Sequence, residues 1–164
     1  MGANPGSFKS EDCPVNKVSW NDCQEFCKKC SELGLPVELP TEAQWEYACR
    51  AGTTGDFAGN VDEMAWYGRN LTDGACPVGT KKPNAWGLYD MHGNVMEWCQ
   101  DWEAEYPKES ATDPTGPSNG EDRVIRGGFF TLTAEYCSSH YRLPPLKPDE
   151  RFHGNGFRGV VNEQ

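Results

Sequence analysis

A helical period is clearest between Trp20 and Gly34. Trp20, Cys23, Cys27 and Cys30 recur at spacings of three and four residues, so they share one face of a helix. Ser19 precedes them with Asp22 three positions on, as in a capping box, and Gly34 ends the run. This predicts an amphipathic helix with its cysteines turned to the core. A second helix is predicted after Thr41. Gln44 completes its cap, Trp45, Ala48 and Cys49 line its inner face, and Gly52 follows as a C′ residue. The helical period then stops. Residues 53–83 are rich in Gly, Asn and Asp and are expected to be irregular, anchored by Phe57, Trp66 and Tyr67. Short strands are expected near Trp86-Gly87-Leu88-Tyr89, at Val95-Met96-Glu97-Trp98, at Arg123-Val124-Ile125-Arg126-Gly127-Gly128 and over Gly156-Phe157-Arg158-Gly159-Val160-Val161. A turn-rich loop over residues 103–122 separates the second from the third.

Composition bounds the rest. The chain has 164 residues, 37% hydrophobic and 12% aromatic, enough apolar area for one core and one domain spanning 1–164. Eighteen glycines and twelve prolines require many turns and ordered loops, and six tryptophans oppose reading those loops as disorder. A formal charge of −10 disfavours nucleic acid and anionic lipid as partners. No apolar run approaches the roughly 20 residues that span a bilayer, and Met1-Gly2-Ala3-Asn4-Pro5 has neither a basic nor an apolar signal region. The chain is expected to be a soluble monomer that does not itself insert into a membrane.

Several chemistries can be weighed on spacing alone. Cys23-x3-Cys27-x2-Cys30 has the spacing of a radical iron–sulfur motif. On a capped amphipathic helix, however, burial or a disulfide to Cys13, Cys49 or Cys99 is the better expectation. The three histidines, His92, His140 and His153, form no metal-binding pattern, and no nucleophile elbow or phosphate loop occurs. The eight cysteines are too few for a disulfide-dense scaffold and leave paired and free thiols both open. Asn70-Leu71-Thr72 is a glycosylation sequon to which no function is assigned.

Four stretches, in order and across nearly the whole chain, resemble the formylglycine-generating enzyme/sulfatase-modifying factor family. They are Pro14-Val15-Asn16-Lys17-Val18-Ser19-Trp20, Leu39-Pro40-Thr41-Glu42-Ala43-Gln44-Trp45-Glu46-Tyr47-Ala48, Gly87 through Trp98, and Arg123-Val124-Ile125-Arg126-Gly127-Gly128 with Gly156-Phe157-Arg158. The resemblance implies an α+β, C-type lectin-like fold with two helices, short antiparallel strands and many ordered loops. The family's N-terminal strands, which precede an Asn-Pro-x-x-Phe turn, are not found here, since Asn4-Pro5-Gly6-Ser7-Phe8 stands near the start. Oxidases of this family use two cysteine thiolates after the Gly-Gly pair to bind copper. The later one corresponds to Cys137, but the earlier position is Leu132, which can neither ligate copper nor act as a thiolate. Copper-dependent oxidase activity is thus the alternative and not the expectation, and no redox cofactor is expected. The resemblance also implies a structural calcium site. Asp90 and Glu97 would give side-chain oxygens and Gly93 and Val95 backbone carbonyls, against the plainer reading of hydrogen-bonded turn carboxylates.

The C-terminal part, about 126–158, interleaves a fixed frame (Arg126-Gly127-Gly128, Ala134, Cys137, Arg142, Pro148-Asp149, Arg151, Gly156-Phe157-Arg158) with varied residues. The latter begin with Phe129, Phe130, Thr131, Leu132 and Thr133. They continue with Tyr136, Ser138, His140, Tyr141, Leu143, Pro144 and Leu146, and end with Phe152 and His153. Most are reachable from asparagine codons by changing adenines. The segment therefore resembles the variable proteins of diversity-generating retroelements, which implies a non-catalytic display protein at the cell surface, of lipoprotein type, binding a protein or other surface ligand. Phe129, Phe130, Leu132 and Leu143 could instead fill the core. The length and Pro-interrupted irregularity of the run favour display.

Overall fold

The computed structural model describes residues 4–8, 10–68 and 74–161. The sequon at Asn70 lies outside them. Helix α1 spans Trp20–Glu32, capped by Ser19, whose hydroxyl accepts from the Asp22 N–H while the Asp22 carboxylate accepts from the Ser19 N–H. Cys23, Cys27 and Cys30 are buried on its inner stripe, as the spacing predicts. Helix α2 spans Glu42–Arg50 behind the equivalent Thr41/Gln44 box, and ends where Ala51 turns left-handed ahead of Gly52. A one-turn helix, α3 at Val61–Met64, was not predicted. Asn60 caps it, and four residues are too few to show a period.

Among the described residues there are five short strands: β1 (Val37–Glu38), β2 (Met96–Trp102), β3 (Arg123–Arg126), β4 (Asn155–Gly156) and β5 (Val160–Val161). Strand β2 is central, antiparallel to β3 and parallel to β4, while β1 and β5 form a separate antiparallel pair. Two strand expectations are corrected. Residues 86–89 form a turn, because the Asn84 side-chain oxygen accepts from the N–H groups of Trp86 and Leu88 and takes the place of a strand partner. The predicted 156–161 strand divides between two sheets, and Phe157, Arg158 and Gly159 between them make no ladder.

Alternation along β2 and β3 gives each face of this ribbon its own cluster. Trp98 and Ile125 point to one side with Val18, Cys23 and Phe130, whereas Cys99 and Val124 point to the other with Trp45 and Cys49. Helix α1 thus packs on one face and α2 on the opposite one. Indole N–H groups fasten the edges: Trp98 donates to the Val18 carbonyl at 2.9 Å and Trp20 to the Cys99 carbonyl at 3.0 Å.

A charged network ties α2, β3 and the C-terminal segment together. Arg126, fully buried, donates to Glu42 at 3.3 Å, to Glu46 at 2.5 Å and to the backbone carbonyls of Ser139 and His140. Arg142 grips the same Glu42 carboxylate through two nitrogens and donates to the Ala104 carbonyl at 2.5 Å. Burial alone would push the Glu42 carboxyl up, but Arg142, Tyr106 and Arg126 outweigh it and hold the group below the usual carboxylate range. Replacing Glu42 by Ala removes the carboxylate that Arg126 and Arg142 share, leaving Arg126 to Glu46 and Arg142 to Glu103. The expected loss is about 3–5 kcal/mol of unfolding free energy, read by urea denaturation.

Candidate functional site

The C-terminal segment leaves β3 through Gly127 and Gly128, both at positive φ. At Gly128 a Cβ would lie 2.5 Å from the Cys137 sulfur and 2.8 Å from the Tyr136 carbonyl, so only glycine lets the returning chain close down here. The chain then crosses the ribbon, makes a 3-10 turn at Ala134–Cys137, and passes Arg142 before reaching β4. Cys137 sits beneath this path, fully buried beside Ala65 and Tyr67. Its carbonyl accepts from His92 Nδ1 at 2.8 Å, while His92 Nε2 accepts from the Ala58 N–H at 3.2 Å, which fixes the neutral Nδ1–H tautomer.

The structure sorts the predicted display residues into two sets. Thr131, Thr133, His140, Pro144, Phe152 and His153 are exposed, and Leu132, Tyr136, Tyr141 and Leu146 are half-buried with one side against the core. Phe129, Phe130, Ser138 and Leu143 are buried, which corrects the expectation that they are displayed. The cause is the double-glycine turn, which directs Phe129 and Phe130 inward. Phe130 donates its N–H to the Asn94 carbonyl at 3.0 Å and meets Phe8 edge-to-face at 5.8 Å. An irregular, Pro-broken run does not reveal such a reversal.

No disulfide joins the described cysteines, seven of which are buried and Cys13 partly so. Burial pushes the Cys137 thiol up to about 12, and burial, partly offset by Ser139, does the same for Cys49. Cys23, Cys27 and Cys30 face the core, and no group of three or more metal-ligating side chains converges among the described residues.

At the calcium candidate, Asp90 (φ 57°) and Gly93 (φ 84°) bend the loop. Asp90 Oδ2 accepts from the Gly79 N–H at 2.7 Å, whereas Oδ1 is buried without a partner, and burial raises the Asp90 pKa. Glu97 accepts from Trp45 Nε1 at 2.7 Å and from Arg158 at 2.8 and 3.0 Å. Of the four predicted calcium ligands, Asp90, Val95 and Glu97 border one cleft of about 480 Å³, with Asn94 beside them, whereas Gly93 does not line it. An orphaned carboxylate oxygen at its edge fits a hard cation, with Asp90 the open ligand and Glu97 shared with Arg158. A larger cleft of about 730 Å³ lies between α2 and the 103–117 loop, and its floor includes Glu42 and Arg142. Neither this cleft nor the charged network beneath it was foreseen. The recurring Glu and Arg positions on α2 and β3 were the only signal, and they are charge types that normally face water.

This arrangement, two capped helices on either side of a short mixed ribbon with a long looped return, is the C-type lectin-like architecture that the family resemblance implied. Residues 2–163 match the sulfatase-modifying factor enzyme 1-like domain, and the chain belongs to that family. It is 38% identical to the formylglycine-generating enzyme of Streptomyces coelicolor over 167 residues, covering 88% of this chain and 51% of that protein. The chain thus spans about half the length of the curated relatives it matches. Among solved structures, Treponema denticola variable protein 1 superposes with a TM-score of 0.89 at 30% identity, covering 97% of this chain and 77% of that one. PvdO from Pseudomonas aeruginosa gives 0.85 at 27% identity, covering 93% and 63%. No helix among the described residues is long and apolar enough to cross a membrane.

The burial split makes a direct prediction. Phe130→Ala is expected to cost about 3–5 kcal/mol of stability, while His140→Ala stays within about 0.5 kcal/mol. Urea denaturation of the two variants separates core from displayed positions.

Proposed function

We propose that this domain is a non-catalytic binding module whose ligand surface is the exposed part of the C-terminal segment, centred on Thr131, Thr133, His140, Pro144, Phe152 and His153. The observation that carries this reading is the interleaving of depths. Frame residues Arg126 and Cys137 are fully buried and Arg142 is held by Glu42, while side chains between them reach solvent. Such a surface changes its chemistry without disturbing what holds it, as a diversified binder requires. Half-buried Tyr136 and Tyr141, packed edge-to-face at 4.9 Å, supply rigid aromatic anchors beside it. The similarity to a Treponema variable protein supports the reading.

The second reading, a copper-dependent formylglycine-generating oxidase, is favoured by identity to enzymes of that name. Against it stand Leu132 in place of a thiolate and a Cys137 thiol that burial keeps protonated. Sequencing the gene's 3′ end across a cell population, with a search for a near-copy of codons 126–158, tests the first reading. Substitutions confined to adenine positions at the exposed residues are expected, and an invariant segment without a template copy refutes diversification. Stoichiometric copper binding with oxygen consumption would establish the oxidase instead.

Calcium is proposed as a structural ion held by Asp90, the Gly93 and Val95 carbonyls and Glu97. Saturating calcium is expected to raise the melting temperature by a few degrees, through ligand binding to the folded state alone. Asp90→Ala should abolish the rise. Equal melting in calcium and in chelator would mean that Asp90 is simply a turn carboxyl that accepts from the Gly79 N–H.

A further inference from the structure

Helix α1 carries two cysteines three residues apart, in the run Cys27-Lys28-Lys29-Cys30, and the two lysines between them are exposed. A helix brings positions i and i+3 onto one face with Cα atoms about 5 Å apart, inside the roughly 4.4–6.8 Å that a disulfide spans. Both side chains lie on the inner stripe of α1, at 4 and 6% exposure. Burial, and after it the neighbouring Cys30, pushes the Cys27 thiol up, with Glu38 of β1 adding to the effect. The other cysteines are placed elsewhere. Cys49 and Cys99 belong to the cluster on the opposite face of the ribbon, and Cys137 packs with Ala65 and Tyr67. Cys13 directs its sulfur to the Ala75 carbonyl at 3.7 Å, and the N–H of Cys76 is held by the Asn94 side chain at 3.0 Å. Cys23, one turn earlier in α1, is 1% exposed and sits in the core cluster that holds Val18 and Trp98.

The Cys27/Cys30 pair stands where α1 can yield. A regular helix holds i and i+3 Cβ atoms about 5–6 Å apart, beyond the roughly 3.5–4.5 Å of a disulfide, so a bond between them requires a tighter turn. Such tightening is present at the end of α1. The Leu33 N–H donates to the Cys30 carbonyl and the Gly34 N–H to the Ser31 carbonyl, both at 3.0 Å and both across three residues. In a 3-10 turn of this kind side chains at i and i+3 eclipse. Residues 33–36, which follow, are exposed. Fraying of a helix end is among the least demanding local openings, and at this end it reaches Cys30 first.

We propose that Cys27 and Cys30 form a dithiol that a small-molecule disulfide oxidises to a bridge within α1. The Cys30 thiolate attacks one sulfur of the oxidant and releases the other half as a thiolate. Cys27, deprotonated in turn, displaces the half left on Cys30 and closes the Cys27–Cys30 bond. Two protons and two electrons leave the protein, and the oxidant becomes two thiols. The bridge fixes the tightened turn. Its effect passes through the Leu35 N–H, bonded to the Cys30 carbonyl at 2.9 Å, to β1 and then to β5, which follows the C-terminal segment. The proposal is independent of the display reading, because neither cysteine falls within residues 126–158.

The test equilibrates the folded protein with oxidised glutathione, quenches with acid, alkylates remaining thiols in urea and digests with trypsin. Trypsin cuts after Lys28 and Lys29, so the two cysteines part unless a bond joins them. A linked peptide pair is expected, with fragment ions placing the bond at Cys27 and Cys30, and excess reduced glutathione is expected to reverse it. Bridging should quicken as pH rises, because burial holds Cys27 protonated. NMR of the oxidised protein should show amide shifts at Leu35, Val37 and Val161. Cys27→Ser should instead leave a glutathione adduct on Cys30, the trapped first intermediate. A bond from Cys23, a bond that forms only when the oxidant is added in urea, or complete alkylation of both thiols after oxidation of the folded wild type would each overturn the proposal.

Discussion

The structure depends on one carboxylate in an unusual place. Glu42 opens α2 and is nearly buried, where an unpaired charge would be unfavourable by several kcal/mol. It persists because Arg126 from β3 and Arg142 from the C-terminal segment converge on it, with the Tyr106 hydroxyl donating at 2.8 Å. Its own backbone N–H is held by Asp101 of β2 at 2.7 Å. One residue thereby links a helix, two strands, the 103–117 loop and the looped return. A domain with only short strands has few ladder hydrogen bonds to define its shape. Directional charge contacts supply part of the definition that a larger sheet would otherwise give.

Much of this was legible in the chain, unevenly. Helices α1 and α2 announce themselves through caps at Ser19 and Thr41 and through cysteine and tryptophan stripes, since a helix writes its burial into a local period. The strands write less. Residues 86–89 look like a strand because Trp86, Leu88 and Tyr89 are apolar or aromatic, yet the single side chain of Asn84 turns them. Phe129 and Phe130 read as display and proved to be core, because their direction is set by two glycine torsions rather than by hydrophobicity. The Arg126–Glu42–Arg142 contact joins positions 84 and 100 residues apart, a separation at which one sequence carries no pairing signal.

Thiol chemistry shows how fold context overrides composition. Eight cysteines and a family history of thiolate catalysis invite a redox reading, yet burial raises the Cys137 and Cys49 thiols to about 12. Cys49 lies 3.7 Å from a His92 ring nitrogen, but that nitrogen already serves the Cys137 carbonyl. The ring nitrogens of that pair are both engaged, one by the Cys137 carbonyl and the other by the Ala58 N–H.

The C-terminal segment is fastened largely through its main chain. Arg126 holds the carbonyls of Ser139 and His140, His92 that of Cys137, and Asn16 that of His153. A carbonyl is common to every amino acid, so these fastenings do not register which side chain stands at the exposed positions 140 and 153. Anchorage and identity are thereby separated, as in a type frame that grips each letter by its shank. Mutations at the exposed positions can accumulate as a nearly neutral network, in which new surfaces are explored without first passing through an unfolded intermediate.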